Sequence, residues 1–185
     1  MLAAAEYPPD ANEIRDHLLT LEDITRIEAA ITAGKSNRVP TKPSKPLPSN
    51  GPSESDIRHA LDMCQDSYVN EEWEVVSAAY GELLEMGIDW VPFALARAAY
   101  ASSQLRDVLR AYPMAKKSME QYPVEPDAYA AMAVIKHLMG QPLQAELWLQ
   151  LALKAADTVP PSYKDIQAGI DWYKAQCMYP PGREK

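Results

Sequence analysis

The chain has little of what builds a catalytic or metal site. Among its 185 residues are two cysteines, Cys64 and Cys177, and three histidines that fall on separate predicted helices. Neither cysteine has a neighbouring partner at metal-ligand spacing, so a reducing compartment is the default. The sequence contains no HExxH, paired CxxC or glycine-rich phosphate loop. We therefore predict a protein that is not an enzyme, with no catalytic residue, cofactor, metal or small-molecule substrate.

Long apolar runs and positive charge are also scarce. No apolar run approaches the length of a membrane span, so membrane insertion is not predicted. The 18 Lys and Arg residues are outnumbered by 26 Asp and Glu residues, for a formal net charge of -8. This balance disfavours non-specific binding to nucleic acid or anionic membrane, because both attract positive potential. The first ten residues resemble neither a secretory signal nor a transit peptide.

Helical periodicity is what the sequence has in abundance. Apolar residues spaced three and four apart predict one amphipathic helix over 11–33, which Gly34 should end. From residue 54 onward, apolar periodicity and prolines at helix starts predict seven more helices, and the fold class is all-α. Pro113 should kink or split the fourth of these. The predicted segments are 55–69, 71–86, 91–102, 104–121, 126–139, 141–156 and 161–177.

Residues 35–53 differ in composition from the rest of the chain. They include five prolines and four basic residues, among them Arg38, Lys42 and Lys45, and no acidic residue. Proline fixes φ and lacks a backbone donor, so we predict an extended, polyproline-like arm that acts as a linker or as a recognition arm. The predicted organisation is an N-terminal helical extension (1–34), this arm, a helical repeat domain (54–179) and a short tail (180–185).

The helices of the repeat domain show a period in the mid-thirties. Ile57, Phe93 and Tyr129 lie 36 residues apart, each early in the first helix of a predicted pair. Such a period predicts a short α-solenoid of about three helix hairpins, closed by helix 161–177, because one hairpin cannot bury both of its apolar faces. Sixteen residues after each of these positions, in the second helix, come Trp73, Leu109 and Ala145.

The stretch 127–156 resembles a pentatricopeptide repeat, with a tetratricopeptide repeat as the neighbouring possibility. Tyr129 matches the early aromatic residue, Gly140 the inter-helix glycine and Ala145 the small residue at the helix contact, while residues 85–89 (EMGID) resemble the closing segment. The resemblance implies single-stranded RNA binding through two base-reading positions per repeat. Those positions would be His59 with Trp90, Leu95 with Pro126, and Ala131 with Ser162.

Two properties argue against RNA reading. Leu95, Pro126 and Ala131 offer no hydrogen-bonding side chain with which to read a base edge. Residues 54–185 also contain 12 basic and 19 acidic residues, a net charge of -7. An organellar RNA-binding factor therefore becomes the alternative function, and a co-chaperone-like adaptor the second alternative.

We expect a structural, non-catalytic subunit that binds protein partners in a larger assembly. Size, repeat number and loss of base-reading residues resemble the small pentatricopeptide-like accessory subunits on the catalytic head of the euglenozoan mitochondrial ATP synthase. That resemblance implies a mitochondrial protein bound to the ATP synthase α subunits, and without it a cytoplasmic one.

The predicted partner-binding residues are basic or aromatic. One group of basic residues in the helical body forms either a docking patch for an acidic partner or a phosphate, or an ordinary solvated face. Trp90, in a predicted inter-repeat loop, is expected to be exposed and to anchor an interface. The three basic residues of the arm named above complete the set. The body group comprises Arg97, Arg106, Arg110, Lys116 and Lys117.

Overall fold

The computed structural model describes residues 11–36, 63–85 and 92–156. Within these ranges the chain is helical and contains no strand, which confirms the all-α prediction. Pro92, Pro126 and Pro142 each begin a helix, as predicted, because proline is tolerated where no intrahelical donor is needed. The helices are α1 (Ala11–Asp16), α2 (Leu21–Ser36), α3 (63–69), α4 (Trp73–Glu85), α5 (Pro92–Gln104), α6 (Val108–Gln121), α7 (Pro126–Leu138) and α8 (Pro142–Ala156).

Three successive helix pairs are joined by the same kind of turn. In each, a residue with positive φ ends the first helix: Glu71 (60°), Arg106 (61°) and Gly140 (73°), which lie 35 and 34 residues apart. The amide of the next residue donates to the carbonyl five residues earlier, at 2.9 Å in all three turns. This is the Schellman arrangement, which satisfies the last carbonyls of a helix. The pairs α3–α4, α5–α6 and α7–α8 are therefore built alike.

Helices α5 and α7 form the centre of the hairpin body, defined here as α3 to α8. Each packs on the other and on its own hairpin partner, and each also receives the preceding second helix, so that α4 lies on α5 and α6 lies on α7. Every side chain is buried from 94 to 103 in α5 and from 126 to 136 in α7. Alanine-rich sequences permit this, because small side chains let helices approach closely on several sides.

The N-terminal segment departs from the single helix predicted over 11–33. Residues 17–20 are not helical, and α2 begins anew after Thr20. Thr20 and Asp23 form a reciprocal cap: the Asp23 amide donates to Thr20 Oγ1 at 3.2 Å, and the Thr20 amide donates to Asp23 Oδ2 at 3.1 Å. This capping box stabilises a new helix start, so the predicted apolar stripe is broken there.

Gly34 does not end α2, contrary to the prediction. The helix continues to Ser36, two residues into the predicted arm. A Cβ on Gly34 would lie 2.6 Å from Val124 Cγ1, so glycine permits a close approach between α2 and the α6–α7 connection. Packing against the body, rather than a C-terminal cap, accounts for a glycine at this position.

Pro113 does not split α6, which is continuous from Val108 to Gln121. The same helix begins later than the predicted 104, because Asp107 caps it by accepting from the Arg110 amide at 3.2 Å. Several other predictions lie outside the described residues. They are the rest of the arm (37–53), the start of the first hairpin (55–62), the EMGID segment, the closing helix (161–177) and the tail (180–185).

Candidate protein-binding surfaces

The structure places the sequence-predicted binding residues in different environments. Trp90, Arg38, Lys42 and Lys45 lie outside the described residues. Arg106, Arg110, Lys116 and Lys117 are exposed. Arg97 is only 3% exposed, so the prediction that it belongs to a surface docking patch is wrong.

Arg97 instead lies at the centre of a buried polar cluster between the first and third hairpins. Its Nε is 3.7 Å from Asp127 Oδ2, and its Nη1 donates to Tyr80 Oη at 3.1 Å and to Gln65 Oε1. The guanidinium also lies 4.7 Å from the ring centroid of Tyr68, a cation–π contact. This cluster joins α3, α4, α5 and α7.

The electrostatics of this cluster follow from burial. Burial raises the pKa of Asp127, although Arg97 and the hydrogen bond from Tyr68 Oη at 3.0 Å oppose that rise. Burial lowers the pKa of Arg97, but Tyr80, Asp127 and Tyr68 together raise it above its ordinary value. The cluster therefore holds an ion pair away from solvent, where removal of either partner leaves an uncompensated charge.

A sequence signal for the burial of Arg97 did exist. Arg97 is the only charged residue of α5 and is flanked on both sides by alanines that are themselves buried. Lys136 is the only Lys or Arg of α7, which also contains Asp127; a histidine follows it and an apolar run precedes it. A lone cation within a small-residue helix predicts burial with a partner rather than a docking patch.

The four exposed basic residues do not converge on one groove. Arg106 lies in the α5–α6 turn, and Arg110 lies over α4, where its Nη2 would be 2.7 Å from a Cβ on Gly81. Lys116 lies one turn after Tyr112, whose Oη is 2.8 Å from His17 Nδ1 in the N-terminal segment. The positive charge is thus divided between at least two sides of α6.

The N-terminal segment forms a strap (residues 11–36) that lies across the body. Its α1 packs on α6 and its α2 packs on α8. Ile14 and Ile31 of the strap are fully buried, and Leu19, which lies between them in the sequence, is also buried. The extension therefore folds back onto the hairpin body, and its anchors are spread over both of its helices.

Lys136, on α7, binds the C-terminal end of α1. It is 0% exposed, and its Nζ donates to the carbonyl of Ile14 at 2.6 Å and to that of His17. The carbonyl of Ile14 is among the last four of α1, which have no intrahelical partner, and His17 is the first residue after that helix. A cation at this end of a helix also complements its dipole. Burial lowers the pKa of Lys136, and Asp16 opposes that change.

Two glutamines at the start of α8 bind the strap backbone beside Lys136. Gln141 Nε2 donates to the carbonyl of Arg15 at 2.8 Å. Gln144 accepts from the Leu19 amide at 2.7 Å and donates to the Leu19 carbonyl at 3.4 Å. The body therefore recognises residues 14–19 mainly through their main chain. Further along, Lys154 and Glu28 form a half-exposed ion pair at 3.3 Å.

His17 fills the bend between the two strap helices. Its Nδ1 is 2.8 Å from Tyr112 Oη, and its ring meets those of Tyr112 and Trp148 edge-on at centroid distances of 6.0 and 6.4 Å. Burial lowers the pKa of His17, and the charges of Lys136 and Lys116 lower it further, whereas Asp23 and Glu13 oppose. The docked strap therefore favours the neutral imidazole.

Large apolar side chains remain exposed where the strap meets α8. Leu21 is 81% exposed, Leu143 82% and Leu18 50%. The apolar pattern over 11–33 predicted a single helix, but the break at 17–20 leaves Leu18 and Leu21 exposed, and Leu143 lies in the first turn of α8. Other exposed apolar residues are Met63, Val69, Val75, Leu105 and Leu109.

The described residues contain neither a metal-binding cluster nor a membrane-spanning helix. Residues 11–36, 63–85 and 92–156 contain no group of three or more His, Cys, Asp or Glu side chains placed to hold a metal. No helix within those same ranges is both long and apolar enough to cross a membrane.

Comparison with protein-family models, with curated proteins and with solved structures found no match.

Proposed function

We propose that this chain is a non-catalytic, protein-binding subunit built as a short solenoid of three pentatricopeptide- or tetratricopeptide-like hairpins. The three identical turns at 35- and 34-residue spacing support the repeat. So does the packing order, in which each first helix receives the second helix of the pair before it.

The observation that carries the proposal is that the hairpin body already binds a peptide segment. Lys136, Gln141 and Gln144 hold the strap through carbonyls and an amide of residues 14, 15, 17 and 19. Main-chain bonds supply affinity with little dependence on side-chain identity, while buried apolar anchors set the register. A surface that grips one helical segment in this way is suited to protein recognition.

The body is poorly suited to reading RNA bases. Leu95, Pro126 and Ala131, three of the six positions that would read bases, are buried in α5 and α7. Their side chains are occupied by packing and carry no donor or acceptor. The exposed basic residues are divided between sides of α6, which weakens the electrostatic case for a phosphate path. These observations favour protein over RNA as the partner.

The assembly that best matches this description is the catalytic head of a mitochondrial ATP synthase. The proposal is that the chain binds the outside of the head at the α subunits, as a structural accessory subunit without nucleotide chemistry. Its support is the architectural resemblance in size, hairpin number and loss of base-reading residues. Mitochondrial localisation is part of the same proposal.

A native purification of the tagged full chain tests the proposed function. The lysate is divided, one half is treated with RNase, and both eluates are analysed by mass spectrometry. We expect a stoichiometric set of proteins to survive RNase, with ATP synthase α subunits among them. Partners that vanish with the RNA would establish the RNA-binding alternative. A chaperone bound through its C-terminus would establish the adaptor alternative.

A further inference from the structure

Docking of the strap brings together apolar side chains from two separate parts of the chain. Leu143 lies between Gln141 and Gln144, whose side chains bind the strap at residues 15 and 19. Leu143 is therefore beside the strap segment that carries Leu18, and Leu21 follows two residues beyond the second anchor. We call Leu18, Leu21 and Leu143 the leucine patch. It exists only when the strap is docked.

The leucine patch is surrounded by negative charge. Residues 11–23 contain four carboxylates and one arginine. Asp16 and Glu22 are exposed next to the patch residues of the strap, and Glu146 is exposed one turn after Leu143. Arg15 pairs with Asp16 at 3.7 Å and Arg26 pairs with Asp23 at 2.8 Å, so the acidic rim that a partner meets is formed by Glu22 and Glu146. An apolar patch with an acidic rim complements a partner that presents apolar residues with a basic rim.

We propose that the leucine patch is a docking site for a basic amphipathic helix of a protein partner. This inference deepens the proposed function, on which it rests, by naming the surface and the chemistry of its occupant. Leucines at helical spacing would cover Leu21 and Leu143, which are too exposed to contribute to the stability of the free chain. Lysine or arginine at the edges would face Glu22 and Glu146.

The patch is composite, and this gives the strap a role. Leu18 and Leu21 reach their places only because Lys136 and Gln144 hold the bend of the strap against the body. Loosening that anchor should weaken binding even though the anchoring residues touch no partner. If the partner bound α8 alone, loosening the strap would not weaken its binding.

Binding of two synthetic peptides to the full chain tests the proposal by fluorescence anisotropy. One peptide is a helix with leucines on one face and lysines elsewhere, and the other carries glutamates in place of the lysines. We expect the lysine peptide to bind about tenfold more tightly or better, where tenfold corresponds to about 1.4 kcal/mol. Equal binding of both peptides would overturn the proposal, because the acidic rim would then have no effect.

Matched variants locate the site. Leu143→Ser and Leu21→Ser should each weaken the lysine peptide about tenfold, and both side chains are exposed, so folding is retained. Val75→Ser on α4 makes a comparable change at a 52% exposed apolar residue and should leave binding unchanged. Lys136→Met should weaken binding with the patch residues intact. Equal loss in Val75→Ser, or no loss in Leu143→Ser, would contradict the site.

A second copy of the chain is the competing occupant. Sedimentation of the wild type and of Leu143→Ser decides between them: a dimer that dissociates on this substitution would overturn the choice of a basic helix. The proposed function fails separately, if native purification of the wild type yields no stoichiometric protein partner. If the wild type retains partners and Leu143→Ser retains them equally, the surface is wrong and the function stands.

Discussion

The interior between α5 and α7 and the interface beneath the strap each bury one cation, and they neutralise it in different ways. Arg97 faces side chains: a carboxylate, two tyrosines and a glutamine drawn from three other helices. Lys136 faces main-chain carbonyls at the end of α1. Arg97 can reach water only if the hairpins separate, whereas undocking of the strap is enough to hydrate Lys136.

This difference divides the molecule into two levels of stability. The body buries α5 and α7 on all sides, so its opening requires loss of the core. The strap buries few side chains and is attached at a limited number of points. We infer that the free energy needed to undock the strap is lower than the free energy needed to unfold the body.

Asp127→Ala should produce the largest loss. It leaves the guanidinium of Arg97 buried without its carboxylate, which is expected to destabilise the whole body by about 3–5 kcal/mol. Urea unfolding followed by circular dichroism measures this. The matched control is the double variant Arg97→Met with Asp127→Leu, which removes both charges and should recover most of the loss. A single variant as stable as the wild type would mean that the pair is not buried in solution.

Ala145→Trp tests the packing of the third hairpin. Ala145 is buried in α8, which packs on α7, so a large side chain there should destabilise the body by about 1–3 kcal/mol. A thermal melt measures the change. Gln150→Trp, at an exposed position of the same helix, serves as the control and should melt close to the wild type. No difference between the two variants would refute the helix pair at this point.

Lys136→Met tests the strap without disturbing the body. Methionine keeps much of the volume but leaves two buried carbonyls without their donor, a loss of about 1–3 kcal/mol in strap docking. We expect faster amide hydrogen exchange in α1 and α2 and unchanged exchange in α5 and α7. The pKa of His17 should also rise, because one of its positive neighbours is gone. Faster exchange throughout the body would contradict the division.

Acidification should give the smallest effect, confined to the strap. The pKa of His17 in the docked state lies below its ordinary value of 6.5, so the undocked state binds more protons. Docking is therefore complete above pH 6.5 and weakens as the pH falls below that value. His17→Gln should remove this dependence, which hydrogen exchange of α2 at a series of pH values measures. Protection factors of the strap, which correct the exchange rates for the intrinsic pH dependence of amide exchange, should fall below pH 6.5; protection factors that do not change with pH in the wild type would rule out a lowered pKa of His17.

Local signals in the sequence predicted the helices well. Prolines at the first position of α5, α7 and α8 and the apolar periodicity between them determined those helices to within a few residues. The break of the strap was missed although its signal was present, since Thr20 and Asp23 form a capping box. Pro113 was expected to kink or split the fourth predicted helix, but α6 is continuous through it.

The candidate surface was not predicted, and the reason is physical. Leu143 lies beside the strap segment that carries Leu18 because two glutamines bind backbone groups more than a hundred residues away. Every residue has the same main-chain acceptor, so no sequence pattern predicts such a contact. Arg97 was misplaced although its position as the only charged residue among buried alanines indicates burial. Its partner could not be identified, because Asp127 lies on another helix and only the packing of α5 on α7 brings them together.

The central claim is that the strap and α8 together bind a protein partner, and site-specific photo-crosslinking in the native complex tests it most directly. A photo-reactive amino acid is placed at position 143 in one chain and at position 75 in a control. We expect protein adducts at position 143, and they should map to a partner segment with apolar and basic residues at helical spacing. We expect no adducts at position 75. Adducts to RNA, or equal protein adducts at both positions, would contradict it.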